Sequence, residues 1–281
     1  MGYGMTEERF AFGKNWHRFV EANLNEERIG ISGSYMMNFL ELTELTGKSF
    51  LDIGSGSGIH SLAAVRVGAN PVMSFDYDPD SVAATKAVKE TMQPAADFWM
   101  IEQGSVLDSE YMQSLGQYDL VYSWGVLHHT GDQWTAIRNA SERVATSGLF
   151  YLALYSADVQ IDPPPEYWLE VKQRYVAAGK WKRNWMVLWY LWRFSLCKNP
   201  FRLPALLRTM KEYQKSRGMS YLTDVRDWIG GWPMEFSHDQ DVIDLFEEEL
   251  GFELVKIFQG EANTEYLFRR VTSPIPEAKF R

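Results

Sequence analysis

Sulfur chemistry is nearly absent from this 281-residue chain. Cys197 is its one cysteine, so no internal disulfide can form and no thiolate metal cluster is encoded, as expected of a reducing, cytoplasmic compartment. Histidine is also scarce. The five (His17, His60, His128, His129, His238) show no metal-ligand spacing, and Asp132 is the one acid close in sequence to the His128-His129 pair, so no metal is expected. Long apolar runs are missing. The longest aromatic-apolar stretch, Trp185 to Leu196, is interrupted by Arg193 and is too short to span a bilayer. The first residues show no apolar signal core. Met1-Gly2-Tyr3-Gly4-Met5-Thr6 matches a myristoylation pattern, but that pattern is short and has meaning only in a eukaryotic cell. There is no internal repeat and no low-complexity tract.

Excess positive charge is lacking too. Net charge is −9, which argues against a nucleic-acid partner for the chain as a whole. The acidity is uneven, however. Between Pro165 and Ser220 twelve Lys or Arg face three Glu, so that stretch is about +9 and the remainder about −18. The apolar fraction of 46% suffices for one large α/β domain with an elaboration, or for two small domains.

What is present centres on Phe50-Leu51-Asp52-Ile53-Gly54-Ser55-Gly56-Ser57-Gly58. An apolar run ends in an acid, a loop places glycine at every second position, and His60 to Val65 reads as helix. Strand, glycine loop and helix suit an adenosine-bearing cofactor, because glycines let backbone N–H groups approach a ligand where a Cβ would collide. The dinucleotide fingerprint needs its third glycine at position 59, which is Ile59, so a pyrophosphate is not supported. Val72 to Asp76 reads as the second strand, with an acid at its tip at the usual offset for gripping two ribose hydroxyls. Pro79 then opens a helix.

The pattern Leu-Asp-x-Gly-x-Gly-x-Gly resembles motif I of the class I S-adenosylmethionine-dependent methyltransferases. Three further stretches match in order: Asp76 at its strand tip, Gln103-Gly104-Ser105-Val106-Leu107-Asp108, and Tyr118 to His129. Phe12 to Trp16, Ser74 to Pro79, Tyr122 to Gly131, Arg217-Gly218-Met219 and Asp227 to Gly231 extend the resemblance over most of the chain, toward quinone-biosynthesis and natural-product small-molecule methyltransferases.

That resemblance implies a Rossmann-like α/β fold. A central, mostly parallel seven-stranded sheet would carry an antiparallel edge hairpin, N-terminal helices and a helical insertion after the fifth strand. Residues 1–46 would cap the cofactor and 47–155 would form the S-adenosylmethionine-binding core. Residues 156–235 would be an aromatic, basic lid, 236–271 a closing helix and hairpin, and 272–281 a tail.

The cofactor contacts it implies are Trp16, Asp52 (on the methionyl amine), Gly54, Ser55, Gly56, Gly58, Asp76 and Tyr77 (on the ribose side), Ser105 and Val106 (at the adenine), Ser123 and Trp124. Ser105 stands where many relatives have an acid. His128 or His129 is the candidate base, and Tyr155 is a further candidate catalytic-site residue after the fifth strand, where Leu154-Tyr155-Ser156-Ala157-Asp158 departs from the family's usual Ile-Tyr-Asn-Asp.

The expected reaction is methyl transfer to a small-molecule acceptor, anionic or aromatic. One alternative is intramolecular cyclisation of the cofactor to azetidine-2-carboxylate and methylthioadenosine, motivated by the altered tip. Another is a tRNA or protein acceptor. The tryptophan-rich insertion reads foremost as a substrate lid, with a membrane-surface contact, a nucleic-acid patch and a dimer interface as other readings; oligomeric state stays open.

Overall fold

A computed structural model describes residues 10, 13, 25–159, 162–217, 221–260 and 262–271. Trp16, most of the first expected helix, residues 218–220 of the Arg217 motif and the tail from 272 lie outside the described residues.

The strands are β1 (Phe50–Ile53), β2 (Val72–Asp76), β3 (Trp99–Gln103), β4 (Tyr118–Trp124), β5 (Val144–Tyr155), β6 (Phe252–Gln259) and β7 (Asn263–Arg270). They form one sheet in the order β3-β2-β1-β4-β5-β7-β6. The first five run parallel, and β7 is antiparallel to both of its neighbours. β1 is buried on both faces, as a central parallel strand must be.

The pleat divides the core. Leu51 and Ile53 point to one face with Phe75, Phe150 and Phe246. Phe50 points to the other with Val72, Leu120 and Tyr122. On that second face lie α1 (Glu26–Leu40), α2 (Ile59–Arg66) and α3 (Pro79–Met92), through Met36, Leu62 and Val88. The first face takes α4 (Ser109–Ser114) and α5 (Gln133–Ser141), through Met112 and Ile137. Asp78 caps α3 by accepting from Asp80 N–H, with Pro79 in the first turn as expected.

Three boundaries differ from the sequence reading. α4 was not anticipated; six residues are too few for a periodic signal, and only its cap Asp108 announces it. β5 begins at Val144, ahead of the expected turn at Ser147-Gly148. The closing helix is α-helical only over Asp239–Asp244 and widens into a π turn over Leu245–Leu250.

Between β5 and the closing helix, labelled α10 from Asp239, come α6 (Pro165–Val176), α7 (Lys180–Tyr190, running into a π turn, Leu191–Ser195), α8 (Leu203–Arg217) and α9 (Tyr221–Gly230). They have a small core of their own, made by Trp168, Val171, Tyr175, Val187, Val225 and Ile229. Among the described residues no helix is long and apolar enough to cross a membrane.

Strand order reverses between β1 and β4, whose carboxyl ends therefore open the crevice where ligands bind in doubly wound sheets.

Candidate active site

At that crevice the chain leaves β1 through Gly54, in the left-handed region at φ 78°. A Cβ on Gly54 would lie 2.4 Å from a methyl of Val126, in the loop after β4. The loops from both strands meet here with no room for a side chain. Phe75 O accepts from Gly54 N–H at 2.9 Å and Ser55 N–H at 3.1 Å, tying the loop to β2. On the α3 side, Ser55 Oγ meets Thr85 Oγ1 at 3.0 Å, and a Cβ on Gly58 would lie 3.0 Å from Thr85 Cα.

Asp76 closes the other side. Its Oδ2 accepts from Gly56 N–H and its Oδ1 from Asp78 N–H, both at 2.9 Å. The Tyr77 N–H bears on the same carboxylate. Burial raises this carboxyl to about 6, against the opposing pull of the backbone N–H groups of Asp78 and Gly56. Asp76 O also accepts from Gly104 N–H at 3.0 Å, which fixes the loop after β3. There Ser105 Oγ accepts from Leu107 N–H at 3.2 Å in a local turn. Tyr77 is exposed beside it, and its carbonyl accepts from the Gln103 side chain.

The second cluster lies at the ends of β4 and β5. Leu127–His129 forms a single 3-10 turn that places both histidines beside Tyr155, with ring centroids 4.2 Å from His128 and 5.8 Å from His129. The insertion completes the group. Trp228 of α9 and Phe236 lie 5.6 Å and 5.9 Å from the Tyr155 ring.

The two imidazoles have opposite proton arrangements. His128 Nδ1 accepts from Tyr155 N–H at 3.3 Å, so the neutral ring carries its proton on Nε2. That Nε2 is buried with no hydrogen-bond partner among the described residues. His129 Nδ1 lies 2.7 Å from Pro233 O, which can only accept, so its proton is on Nδ1 and its basic lone pair on Nε2. Burial brings His129 down to about 4, with Pro233 opposing and Lys172 assisting. Burial, then His129 and Lys172, hold His128 well below its ordinary value. Both rings are neutral at physiological pH.

A family model described as "Methyltransferase domain" matches residues 32–215, more than half of the chain. The chain belongs to the class I S-adenosylmethionine-dependent methyltransferases. Its curated relatives include ribosomal protein L11 methyltransferases, from Aliivibrio salmonicida (44% identical over 50 residues, 18% of this chain and 17% of that one) and Laribacter hongkongensis (30% over 137 residues, 46% and 43%). The chain thus spans less than half the length of these relatives. Its fold is similar to that of magnesium protoporphyrin IX methyltransferase from Synechocystis PCC 6803, solved with bound SAH (12% identity, TM-score 0.54, 92% of this chain and 93% of that one).

In this methyltransferase the residues expected around the cofactor divide. Gly54, Ser55, Gly56, Gly58, Asp76, Tyr77 and Ser105 lie together along the loops after β1, β2 and β3. Trp124 stands exposed at the end of β4.

Asp52, expected to meet the methionyl amine, has its orientation set by the pleat. Asp52 shares a face with Phe50, so its carboxyl points beneath α2, is buried, and accepts from Ser61 Oγ. A relay stands behind it: Trp99 Nε1–H donates to Ser74 Oγ at 2.8 Å, and Ser74 Oγ–H to Ser61 Oγ at 2.7 Å. Burial raises Asp52 to about 7, against the Ser61 bond. Ser123 is likewise turned inward, its hydroxyl donating to Ile53 O at 3.2 Å and stitching β4 to β1. The Val106 side chain is in the core, and its carbonyl accepts from Asn139 at 2.8 Å.

Lys172 has no sequence signal beyond being one cation of twelve. It is buried on α6, its ammonium donates to Trp228 O, and it lies 4.4 Å from the centre of the Trp228 ring. Pro233 and Glu235 also escaped notice. Glu235 N–H donates to His128 O at 2.8 Å, and its carboxylate accepts from Gln133 N–H at 2.9 Å. Among the described residues no group of three His, Cys, Asp or Glu is placed to hold a metal.

Proposed function

We propose that this enzyme methylates an acidic hydroxyl, of the phenol or enol type, on a small aromatic acceptor held between the His128-His129 turn and the inner face of the insertion. The observation that carries this is the His128-His129-Tyr155-Trp228-Phe236 cluster, joined to the glycine loop through Val126 and Gly54.

The loops fit S-adenosylmethionine. Asp76 offers its carboxylate to the ribose hydroxyls, Gly54, Gly56 and Gly58 offer backbone bare of a side chain at every second position, and the Ser105 hydroxyl stands at the adenine end. When bound, the cofactor supplies an electrophilic methyl on sulfur. Asp52 supports the loop from beneath.

Two described residues ahead of α1, Phe10 and Gly13, reach this region. Phe10 N–H donates to Trp232 O at 3.0 Å, and Gly13 N–H to Asp78 Oδ2 at 2.9 Å. Phe10 meets the insertion and Gly13 the residue after the tip of β2, which supports reading residues 1–46 as a cap and 156–235 as a lid.

His129 is the base, because its lone pair is on Nε2. Its conjugate acid near 4 makes it weak, and general-base efficiency follows the match between base and substrate acidity. It suits a hydroxyl that is already acidic. The Lys172 charge favours the oxyanion that forms. His128 Nε2–H, a buried donor in search of an acceptor, holds that oxygen in line for the methyl. Trp228 and Phe236 suit a flat ring.

The test is to incubate the full chain with S-adenosylmethionine, with and without a panel of phenols, enols, amines and ribosomal protein L11, and to identify the thioether released. S-adenosylhomocysteine formed with phenols or enols is expected. Methylthioadenosine formed without any acceptor, or turnover confined to amines or to the ribosomal protein, overturns the proposal.

A further inference from the structure

The insertion has a second side. Trp181, Trp185, Leu188 and Trp192 recur at helical spacing along α7 and its π turn, and are 92%, 70%, 62% and 44% exposed. The opposite stripe, Val187, Tyr190, Leu191 and Phe194, packs on the insertion's own core. From sequence this segment reads foremost as a lid, with a membrane-surface contact among the other readings. Only the inner stripe serves that role. After the π turn comes another bare aromatic, Phe201, which is 90% exposed in the turn Pro200–Arg202.

Exposed cations accompany it: Lys180 and Lys182 at the start of α7, Lys198 and Arg202 at the far end. These four cations belong to the +9 stretch noted above, on a chain whose remainder is acidic.

We propose that this outer face docks the enzyme on an anionic lipid bilayer surface. Tryptophans at this density are costly in water and favoured at the headgroup boundary, where the indole is half in hydrocarbon and half hydrated. Lysine and arginine beside them meet the negative lipid phosphates. The charge pattern selects this occupant over a second copy: pairing this face with itself would bring cation to cation. The helix would lie in the interface plane, since α7 with its π turn is too short to span.

The test is flotation of the full chain with vesicles of phosphatidylcholine alone or mixed with phosphatidylglycerol. Binding is expected to the mixed vesicles only, and to weaken as salt rises. Trp181→Ala/Trp185→Ala/Phe201→Ala and, separately, Lys180→Glu/Lys182→Glu are each expected to lower partitioning roughly tenfold or more. These positions are remote from the cofactor loops, so calorimetric binding of S-adenosylmethionine should be unchanged and certifies the fold. Failure to float, or equal flotation of the aromatic variant, overturns the proposal. So does a lipid-free dimer in sedimentation velocity that the aromatic substitutions dissolve, which would make this face a self-interface.

Discussion

His128 and His129 are adjacent and identical in type, yet the fold gives them opposite chemistry. Tyr155 N–H donates to one and Pro233 O accepts from the other, so the lone pair on Nε2 belongs to His129 and the N–H on Nε2 to His128. A long-range proton–nitrogen NMR spectrum at neutral pH is expected to show the Nε2–H tautomer for His128 and the Nδ1–H tautomer for His129. The same tautomer in both rings would remove the base assignment. Nothing local in the sequence separates them. Their partners lie 27 and 104 residues away, and a carbonyl or amide carries no residue-type signature. The position of Asp76, in contrast, was legible because a strand tip at a fixed offset marks it. For Asp52 the same rule names a position and says nothing about which face of the pleat the side chain takes.

Among the elements, the glycine loop joins β1 to β4 as much as it makes room for a ligand. Gly54→Ala places a methyl into Val126 and forces a left-handed φ on alanine. Strain of about 1–2 kcal/mol and overpacking of about 1–3 kcal/mol are expected together. Adding Val126→Ala should relieve the steric share and leave the backbone share. Urea melts of the two single variants and the double variant therefore should not add. Additive losses would mean that the loops do not meet as described. The strands of the core were legible because each carries a period or an apolar run, and the antiparallel edge followed from the family resemblance; the strand order is a finding of the structure. α4 was hidden by its six-residue length. The insertion's helicity was legible, but its two-sidedness was not. Inner and outer stripes of α7 are both aromatic, and only packing on Trp168, Val225 and Ile229 tells them apart.

For the molecule as a whole, the catalytic sheet and the insertion meet at a buried charge. Burial pulls Lys172 down to about 7, with Asp227 opposing, while it also acts on both histidines from the insertion side. An unfolded lysine holds its proton to about 10.4. Below pH 7 both states are protonated and the cost of burying the cation is constant. From pH 7 upward the folded state releases the proton first, the unfolded state binds more protons, and stability rises with pH. The histidines do not contribute there, being neutral in both states. Lys172→Met removes the titration and keeps the volume. Urea unfolding at pH 7 and pH 9 should therefore show the wild type gaining about 2–3 kcal/mol relative to the variant across those two pH units. Tyrosines that ionise near the upper end are common to both proteins and cancel in the difference. Parallel profiles would mean that Lys172 stays hydrated, and that the insertion does not close on the His128-His129 turn in solution.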